Sequence, residues 1–168
     1  NSLQAVDGVV IVVDAVSGVE VQTEKVWEYA SQFGLSRLFF ISKMERERAS
    51  FSQSLADIQK ILTPKAIPLT LPIGSEGSFA GVVDLMTMKA FYFENNSSGK
   101  IREDEIPSNL QAEVKNAKEK LVEVIAESDD ALLEKYLEGQ ELSPEELSQG
   151  LRKGVLNKTF SPSSAAQA

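Results

Sequence analysis

The sequence predicts an α/β fold in which a parallel β-sheet forms the core and a smaller α+β region is attached to it. Residues 9–13 and 38–41 are apolar runs without polar alternation, which is typical of buried strands in parallel sheets, and the β-branched run 9–13 predicts a central strand. The apolar periodicity of residues 20–33 predicts a helix between them, so the three segments make a right-handed βαβ unit. After residue 65 the pattern changes to short strands and then to acidic helices, which indicates the second region.

The composition is that of a globular chain and excludes several kinds of site. The 168 residues suit one domain, or one domain that carries an insertion, and the formal net charge of −8 disfavours a protein that coats nucleic acid. Residues 103–146 contain 14 acidic and 4 basic side chains, so the acidity belongs to one region. Without cysteine or histidine there is no disulfide, no Ser-His-Asp or Cys-His catalytic site and no ordinary zinc site.

The middle of the chain predicts one helix followed by short strands. Residues 50–62 have a helical apolar stripe that ends before a proline. Residues 66–73 alternate loosely around two prolines, which predicts a single edge strand. Residues 81–85 and 88–93 predict two antiparallel strands, and a turn is expected at residues 95–99.

The last third predicts three helices. A long one runs from about Leu110 to Ala126, with an apolar stripe made by Leu110, Val114, Ala117, Leu121, Val124 and Ile125. The next follows the cap Ser128-Asp129-Asp130 and is predicted to bury Leu132, Leu133, Tyr136 and Leu137. The third begins after Ser143 with a proline in its first turn and reaches about residue 156. The small, polar residues at the end of the chain predict either a loop or a disordered end.

The candidate site is the loop that follows the second apolar run. Ser42, Lys43 and Glu45 lie where that strand should end, and ligands of parallel sheets bind just outside the carboxyl ends of the strands. Two interpretations stay open from the residues alone: a solvated loop that carries a salt bridge, or a site for a purine base. In the second, a carboxylate accepts both N–H groups of the guanine Watson–Crick edge while lysine methylenes cover the flat ring.

Two further observations concern nucleotide hydrolysis. Asp14 ends the first strand, and a lone carboxylate in that position is more often a turn cap than a metal ligand. No Gly-Lys-Ser/Thr follows a strand, so the glycines between residues 74 and 81 do not form a phosphate loop. Hydrolysis needs a phosphate cradle, a magnesium ligand and a group that places water. The chain by itself is therefore predicted not to hydrolyse nucleoside triphosphates.

Several stretches, in the right order along nearly the whole chain, resemble one known family. Residues 7–27 resemble the GTPase domain of bacterial elongation factor G, a translational GTPase, just past its second switch. Residues 42–49 read Ser-Lys-Met-Glu-Arg-Glu-Arg-Ala, which is similar to that family's Asn-Lys-Met-Asp-Arg-Glu-Arg-Ala. Residues 71–74, 81–85 and 134–139 resemble the subdomain inserted into this domain.

The resemblance implies a partial P-loop-GTPase-like parallel sheet core with an inserted α+β subdomain. Residues 1–64 would form the partial core and residues 65–158 the insertion, while residues 159–168 would return to the core or form a disordered end. The chain would be a piece of a longer protein that binds GTP and GDP and hydrolyses GTP on the ribosome during translocation. The phosphate loop, both switches and the Mg²⁺ ligands would lie upstream of Asn1.

The resemblance also assigns roles to five residues. Lys43 would lie against the guanine ring, and Glu45 would take the place of the base-reading Asp. Ser42 stands where the family has an Asn whose amide ties the motif to the phosphate loop. Ser164 and Ala165 match the family's second guanine contact. Because Ser42 and Glu45 depart from the family's residues, guanine preference should be weaker; one lost hydrogen bond to a buried base costs about 1–3 kcal/mol.

Partners and location follow from the same resemblance. The expected partners are the ribosome and guanine nucleotide, and the helix from about Leu110 to Ala126 would contact the stalk protein of the large subunit. A cytoplasmic monomer without membrane contact is expected. The alternative is a non-hydrolysing relative, or an interaction module, whose base-reading site has decayed; Ser42 and Glu45 keep this alternative open.

Overall fold

Two β-sheets and five α-helices make up the part of the chain that the computed structural model describes, residues 6–93 and 100–166. In chain order the elements are β1 (Gly8–Asp14), α1 (Val21–Gln32), β2 (Ser36–Ser42), α2 (Phe51–Ile61), β3 (Ala66–Pro68), β4 (Thr70–Ile73), β5 (Gly81–Asp84), β6 (Lys89–Phe93), β7 (Ile101–Asp104), α3 (Gln111–Ala126), α4 (Asp130–Leu137), α5 (Pro144–Leu156) and β8 (Ser161–Ala165). A single 3-10 turn covers Glu76–Ser78 between β4 and β5. The turn predicted at residues 95–99 lies outside the described residues.

The parallel sheet has the strand order β1-β2-β8-β3, and each neighbouring pair is parallel. The last strand of the chain therefore lies inside the sheet, between two strands that come much earlier in the sequence. β3 also belongs to this sheet, although it falls after the predicted boundary at residue 64. The order brings the carboxyl ends of β1, β2 and β8 to one edge.

The second sheet is antiparallel, in the order β4-β5-β6-β7. The pairing of β5 with β6 confirms the two antiparallel strands predicted from the alternating residues. The single edge strand predicted for residues 66–73 is wrong, because the segment divides into β3 and β4 in two different sheets. Leu69 lies at this division, where its N–H donates to the Ser163 carbonyl and its carbonyl accepts from the Leu85 N–H. The two prolines are compatible with this arrangement, because each sheet uses only part of the segment's backbone for hydrogen bonds and proline has no N–H to donate.

One face of the parallel sheet forms the core. Ile11, Val13, Phe39 and Ile41 alternate along β1 and β2 and are at most 3% exposed. The prediction that β1 is a central strand is wrong for the described chain, where β1 pairs only with β2. Val10 and Val12 on its other face are 59% exposed. A β-branched run indicates a strand, but its burial depends on what packs against it.

Side-chain caps begin three of the helices, two of them at the caps predicted near residues 129 and 143. Ser50 caps α2, Asp129 caps α4 and Ser143 caps α5, each accepting backbone N–H groups of the first turn. The prediction that α4 buries Leu137 is wrong, since this side chain is 75% exposed. Helix α4 has eight residues and packs against the core through Leu132, near its start. Leu137, its last residue, belongs to the same apolar stripe but lies beyond this contact.

The predicted fold class is confirmed. The described chain contains an α/β parallel sheet core and a separate antiparallel sheet, followed by the three-helix region α3–α5. No helix among residues 6–93 and 100–166 has the length and apolar character needed to cross a membrane.

Candidate functional site

The carboxyl edge of the parallel sheet gathers the loops after β1, β2 and β8. The Ala15 N–H donates to the Ser42 carbonyl at 2.9 Å, which fixes the loop after β1 against the end of β2. The Ala166 N–H donates to the Ile41 carbonyl at 2.9 Å, and the Met44 N–H donates to the Ala166 carbonyl at 3.3 Å. These bonds extend the parallel pairing past the strand ends. The residues predicted at the ends of β2 and β8 are therefore neighbours.

The loop after β2, residues 43–48, is a tight double turn, which we call the β2 loop. Lys43 and Arg48 have φ angles of 61° and 66°, in the left-handed region that non-glycine residues seldom adopt. The Arg46 N–H donates to the Lys43 carbonyl, and the Ala49 N–H donates to the Arg46 carbonyl, both at 3.1 Å. The Met44 side chain is fully buried and anchors the loop in the core. Lys43 and Glu45, which flank this anchor, are both half-buried.

Lys43 forms an ion pair with Asp14, the residue that ends β1. The Lys43 Nζ and Asp14 Oδ2 atoms are 2.6 Å apart. The other carboxylate oxygen, Oδ1, accepts the N–H groups of Val16 at 2.9 Å and Ser17 at 3.3 Å. The hydrogen bond from Lys43, followed by that from the Val16 N–H, lowers the pKa of Asp14 from 3.8 to about 2.

These contacts settle the two interpretations of Asp14. The turn-cap interpretation is confirmed, because both backbone N–H groups of the following turn bind its Oδ1. Among the described residues no group of three acidic side chains is arranged to hold a metal ion. Asp14 is already committed to Lys43, so these residues do not fit a Mg²⁺ site. The ion pair itself was not predicted: a sequence shows both strand ends, but not that they are adjacent.

Ser42 is the last residue of β2 and is half-buried. Its Oγ atom lies 3.4 Å from the Val13 carbonyl of the neighbouring strand, a long hydrogen bond in which the hydroxyl donates. The side chain therefore faces the β1 side of the edge, toward the same strand end that holds Asp14.

Ser164 and Ala165 are the last two residues of β8, and they lie opposite Phe40 and Ile41 of β2. The Ser164 hydroxyl is 2.9 Å from the Thr70 hydroxyl, and the Ala165 N–H donates to Thr70 Oγ1 at 3.0 Å. Ala165 is 5% exposed. Both residues are thus close to the β2 loop, but their polar groups are directed to Thr70. Ala166, which follows β8, makes the backbone contact with the loop through Met44.

Two residues of the second sheet region also reach this edge, and the sequence pattern did not indicate them. Thr70 begins β4 and contacts the end of β8, as described above. The Glu76 N–H donates to the Met44 carbonyl at 3.0 Å, and its Oε1 accepts the Arg48 N–H at 2.8 Å. Nothing in the sequence around Glu76 predicts that this residue of a turn contacts a loop residue 28 positions earlier in the chain.

The parallel sheet core and the separate antiparallel sheet match the architecture of a GTPase domain that contains an inserted subdomain. Residues 1–166 match the family model described as the elongation factor Tu GTP binding domain. The chain belongs to this family of translational GTPases.

A solved structure of a protein from Thermus thermophilus is similar to this chain. The TM-score is 0.89, the sequence identity is 32%, and the alignment covers 99% of this chain. The chain spans 24% of the length of that protein.

Proposed function

We propose that this chain is the base-reading part of the GTPase domain of an elongation factor of the G type. The complete protein would bind GTP and hydrolyse it to drive ribosomal translocation. The observation that carries the proposal is the meeting of the β2 loop and the end of β8, linked by the Met44–Ala166 and Ala166–Ile41 hydrogen bonds. A planar base needs contacts from more than one loop, and this edge brings two of them together.

Each predicted site residue has a proposed role at this edge. The Lys43 stem covers the face of the guanine ring, and the Glu45 carboxylate accepts the N–H groups of its Watson–Crick edge. Ser42 orients the loop through β1. Ser164 and Ala165 fix the end of β8, so that the backbone following them faces the base. Since the Ala165 N–H is bound to Thr70, we assign these two residues a supporting contact rather than the primary one.

The phosphate-binding and Mg²⁺-binding groups are proposed to come from other parts of the complete protein. We expect the 168-residue chain alone to show negligible GTP hydrolysis. The proposed partners are the ribosome and, through α3 (Gln111–Ala126), the stalk protein of its large subunit. We propose a cytoplasmic monomer with no membrane contact.

Calorimetry of the full-length protein with GDP, ADP and XDP tests the proposal. A carboxylate at Glu45 favours GDP, because adenine presents a different order of donors and acceptors and xanthine replaces the 2-amino donor with a carbonyl. We expect GDP to bind at least about tenfold more tightly than ADP or XDP, which is the value of one good hydrogen bond. Equal affinities for the three nucleotides would refute base reading at this edge.

A second candidate is a non-hydrolysing relative with a decayed base site. The observation that favours it is the 2.6 Å ion pair between Lys43 and Asp14, which holds the ammonium group on the β1 side of the edge. This candidate also accounts for Ser42 and Glu45 in place of Asn and Asp. It predicts ribosome association that does not change when GTP is replaced by GDP, whereas the first candidate predicts stronger association with a GTP analogue.

A further inference from the structure

The β2 loop is held in place from outside its own sheet. Its backbone makes two hydrogen bonds with Glu76: the Met44 carbonyl accepts the Glu76 N–H, and the Arg48 N–H donates to Glu76 Oε1. These contacts lie on either side of Glu45 in the sequence. A loop fixed before and after one residue has little freedom to move its backbone, so Glu76 restrains the part of the loop that carries Glu45.

The end of β8 is held by the same strand-and-turn segment. Thr70, which begins β4 ahead of that turn, accepts the Ala165 N–H and exchanges a hydrogen bond with the Ser164 hydroxyl. One hydroxyl can donate once and accept twice, so Thr70 can satisfy both partners simultaneously. Residues 70–78, which we call the clamp segment, therefore contact both loops of the proposed base site.

The clamp segment contains a tight turn with two residues in the left-handed backbone region. Gly74 has a φ angle of 77°, and a Cβ atom there would lie 2.2 Å from the Ser78 carbonyl oxygen, so the turn closes too tightly for any side chain. Glu76 itself has a φ angle of 52°, although it is not a glycine. Non-glycine residues hold this conformation only where surrounding contacts enforce it, and such residues cluster at functional sites. Ser75 and Ser78 close the turn with reciprocal hydrogen bonds.

We propose that Thr70 and Glu76 are positioning residues for guanine recognition, and that the second sheet thereby determines how well the base site discriminates guanine. The inference rests on the base-reading function proposed above. Neither residue contacts the base. Thr70 sets the end of β8, and Glu76 sets the β2 loop, so loss of either hydrogen-bonding group lets the two loops move apart.

Matched variants of the full-length protein separate positioning from general damage. Thr70→Val removes the hydroxyl and keeps the shape, whereas Thr70→Ser keeps the hydroxyl. Glu76→Ala removes the acceptor of the Arg48 N–H, whereas Glu76→Gln retains an acceptor oxygen. Glu28→Ala, at an exposed position of α1, controls for the loss of one negative charge.

Calorimetric affinities for GDP and IDP provide the readout, with the thermal unfolding midpoint measured in parallel. IDP keeps the N1–H but lacks the 2-amino group, so a misplaced Glu45 carboxylate loses two hydrogen bonds to GDP and only one to IDP. We expect Thr70→Val and Glu76→Ala to weaken GDP binding about tenfold and IDP binding by a smaller factor, so that the GDP/IDP ratio falls. Thr70→Ser, Glu76→Gln and Glu28→Ala should keep the wild-type ratio.

The failure of this inference differs from the failure of the proposed function. An unchanged GDP/IDP ratio in both Thr70→Val and Glu76→Ala, or equal loss for both nucleotides with a lower unfolding midpoint, overturns the positioning role. If the wild-type protein does not prefer GDP over ADP, base reading is refuted. Amide hydrogen exchange then tests separately whether the clamp segment holds the β2 loop in place. In that case faster exchange of residues 43–49 in Glu76→Ala than in Glu76→Gln supports its hold on the β2 loop, and equal exchange refutes it.

Discussion

The ion pair between Asp14 and Lys43 gives the most direct test of the site's electrostatics. Replacing Asp14 by Asn removes the charge but keeps an oxygen that can accept the N–H groups of Val16 and Ser17. The variant therefore isolates the contact with Lys43 from the turn that Asp14 caps.

The expected loss of unfolding free energy in Asp14→Asn follows from the pKa of Asp14. Its fall from 3.8 to about 2 corresponds to roughly 2 kcal/mol of preferential stabilisation of the charged form. The Lys43 side chain is 35% exposed, so solvent screens the ion pair. Part of the pKa shift also comes from the backbone N–H groups of Val16 and Ser17, which an Asn side chain can still bind. We therefore expect Asp14→Asn to lower the unfolding free energy by about 1 kcal/mol.

The pH dependence has a definite sign. The pKa of Asp14 is lower in the folded chain than in the unfolded chain, so the stabilisation is complete above about pH 4. It is lost as the pH falls from about 4 toward 2, where the folded carboxylate takes up its proton. The unfolding free energies of wild type and Asp14→Asn should therefore differ at neutral pH and converge in acid.

Urea denaturation of the chain, followed by circular dichroism between about pH 7 and pH 3, measures this difference. Lys43→Met and the double variant complete a thermodynamic cycle, and the coupling energy should be about 0.5–1 kcal/mol at low salt and smaller at high salt. A difference between wild type and Asp14→Asn that stays constant across the pH range, or a coupling energy of zero, would refute the reasoning.

The remaining predictions concern the proposed base site and the helix packing. Restoring the family residues with Ser42→Asn and Glu45→Asp should tighten GDP binding by the full-length protein about tenfold, measured by calorimetry; weaker binding would mean that the loop is adapted to Ser and Glu. Gly154→Ala should lower the unfolding free energy by about 1–3 kcal/mol, because a Cβ atom at Gly154 would lie 2.1 Å from the ring of the buried Phe160. The exposed Gly77, where an added Cβ atom would meet nothing within 4 Å, provides the control, and Gly77→Ala should change the unfolding free energy by less than about 0.5 kcal/mol.

The sequence predicted the ends of helices well where a capping side chain or a proline determines the local backbone conformation. Ser143 with Pro144 and Glu146 predicted the start of α5, because a capping side chain and a first-turn proline act within one turn of the chain. The proline after α2 predicted its end for the same reason. The apolar stripe of α3 predicted the burial of Val114, Leu121 and Ile125.

The same signals failed where burial depends on distant parts of the chain. The apolar run of β1 predicted a central strand, yet Val10 and Val12 are exposed, because no described element covers that face. The two prolines of residues 66–73 predicted edge character but did not indicate the division between sheets, which depends on pairing with β8 and β5. The apolar pattern of α4 likewise placed Leu137 in the core, whereas this helix packs against the core through Leu132 and leaves Leu137 exposed.

By itself, the sequence determined the α/β fold class, the family resemblance and the position of Ser42, Lys43 and Glu45 at the end of a strand. Each depends on residues that are close together along the chain. The tertiary structure alone decided that β8 lies beside β2, that Lys43 pairs with Asp14, and that Thr70 and Glu76 hold the two loops. The hydrogen bond from Arg48 to Glu76 spans 28 positions of the chain, and that from Ala165 to Thr70 spans 95. Such pairs are set by the order of strands in the sheet, which the local pattern of side chains does not encode.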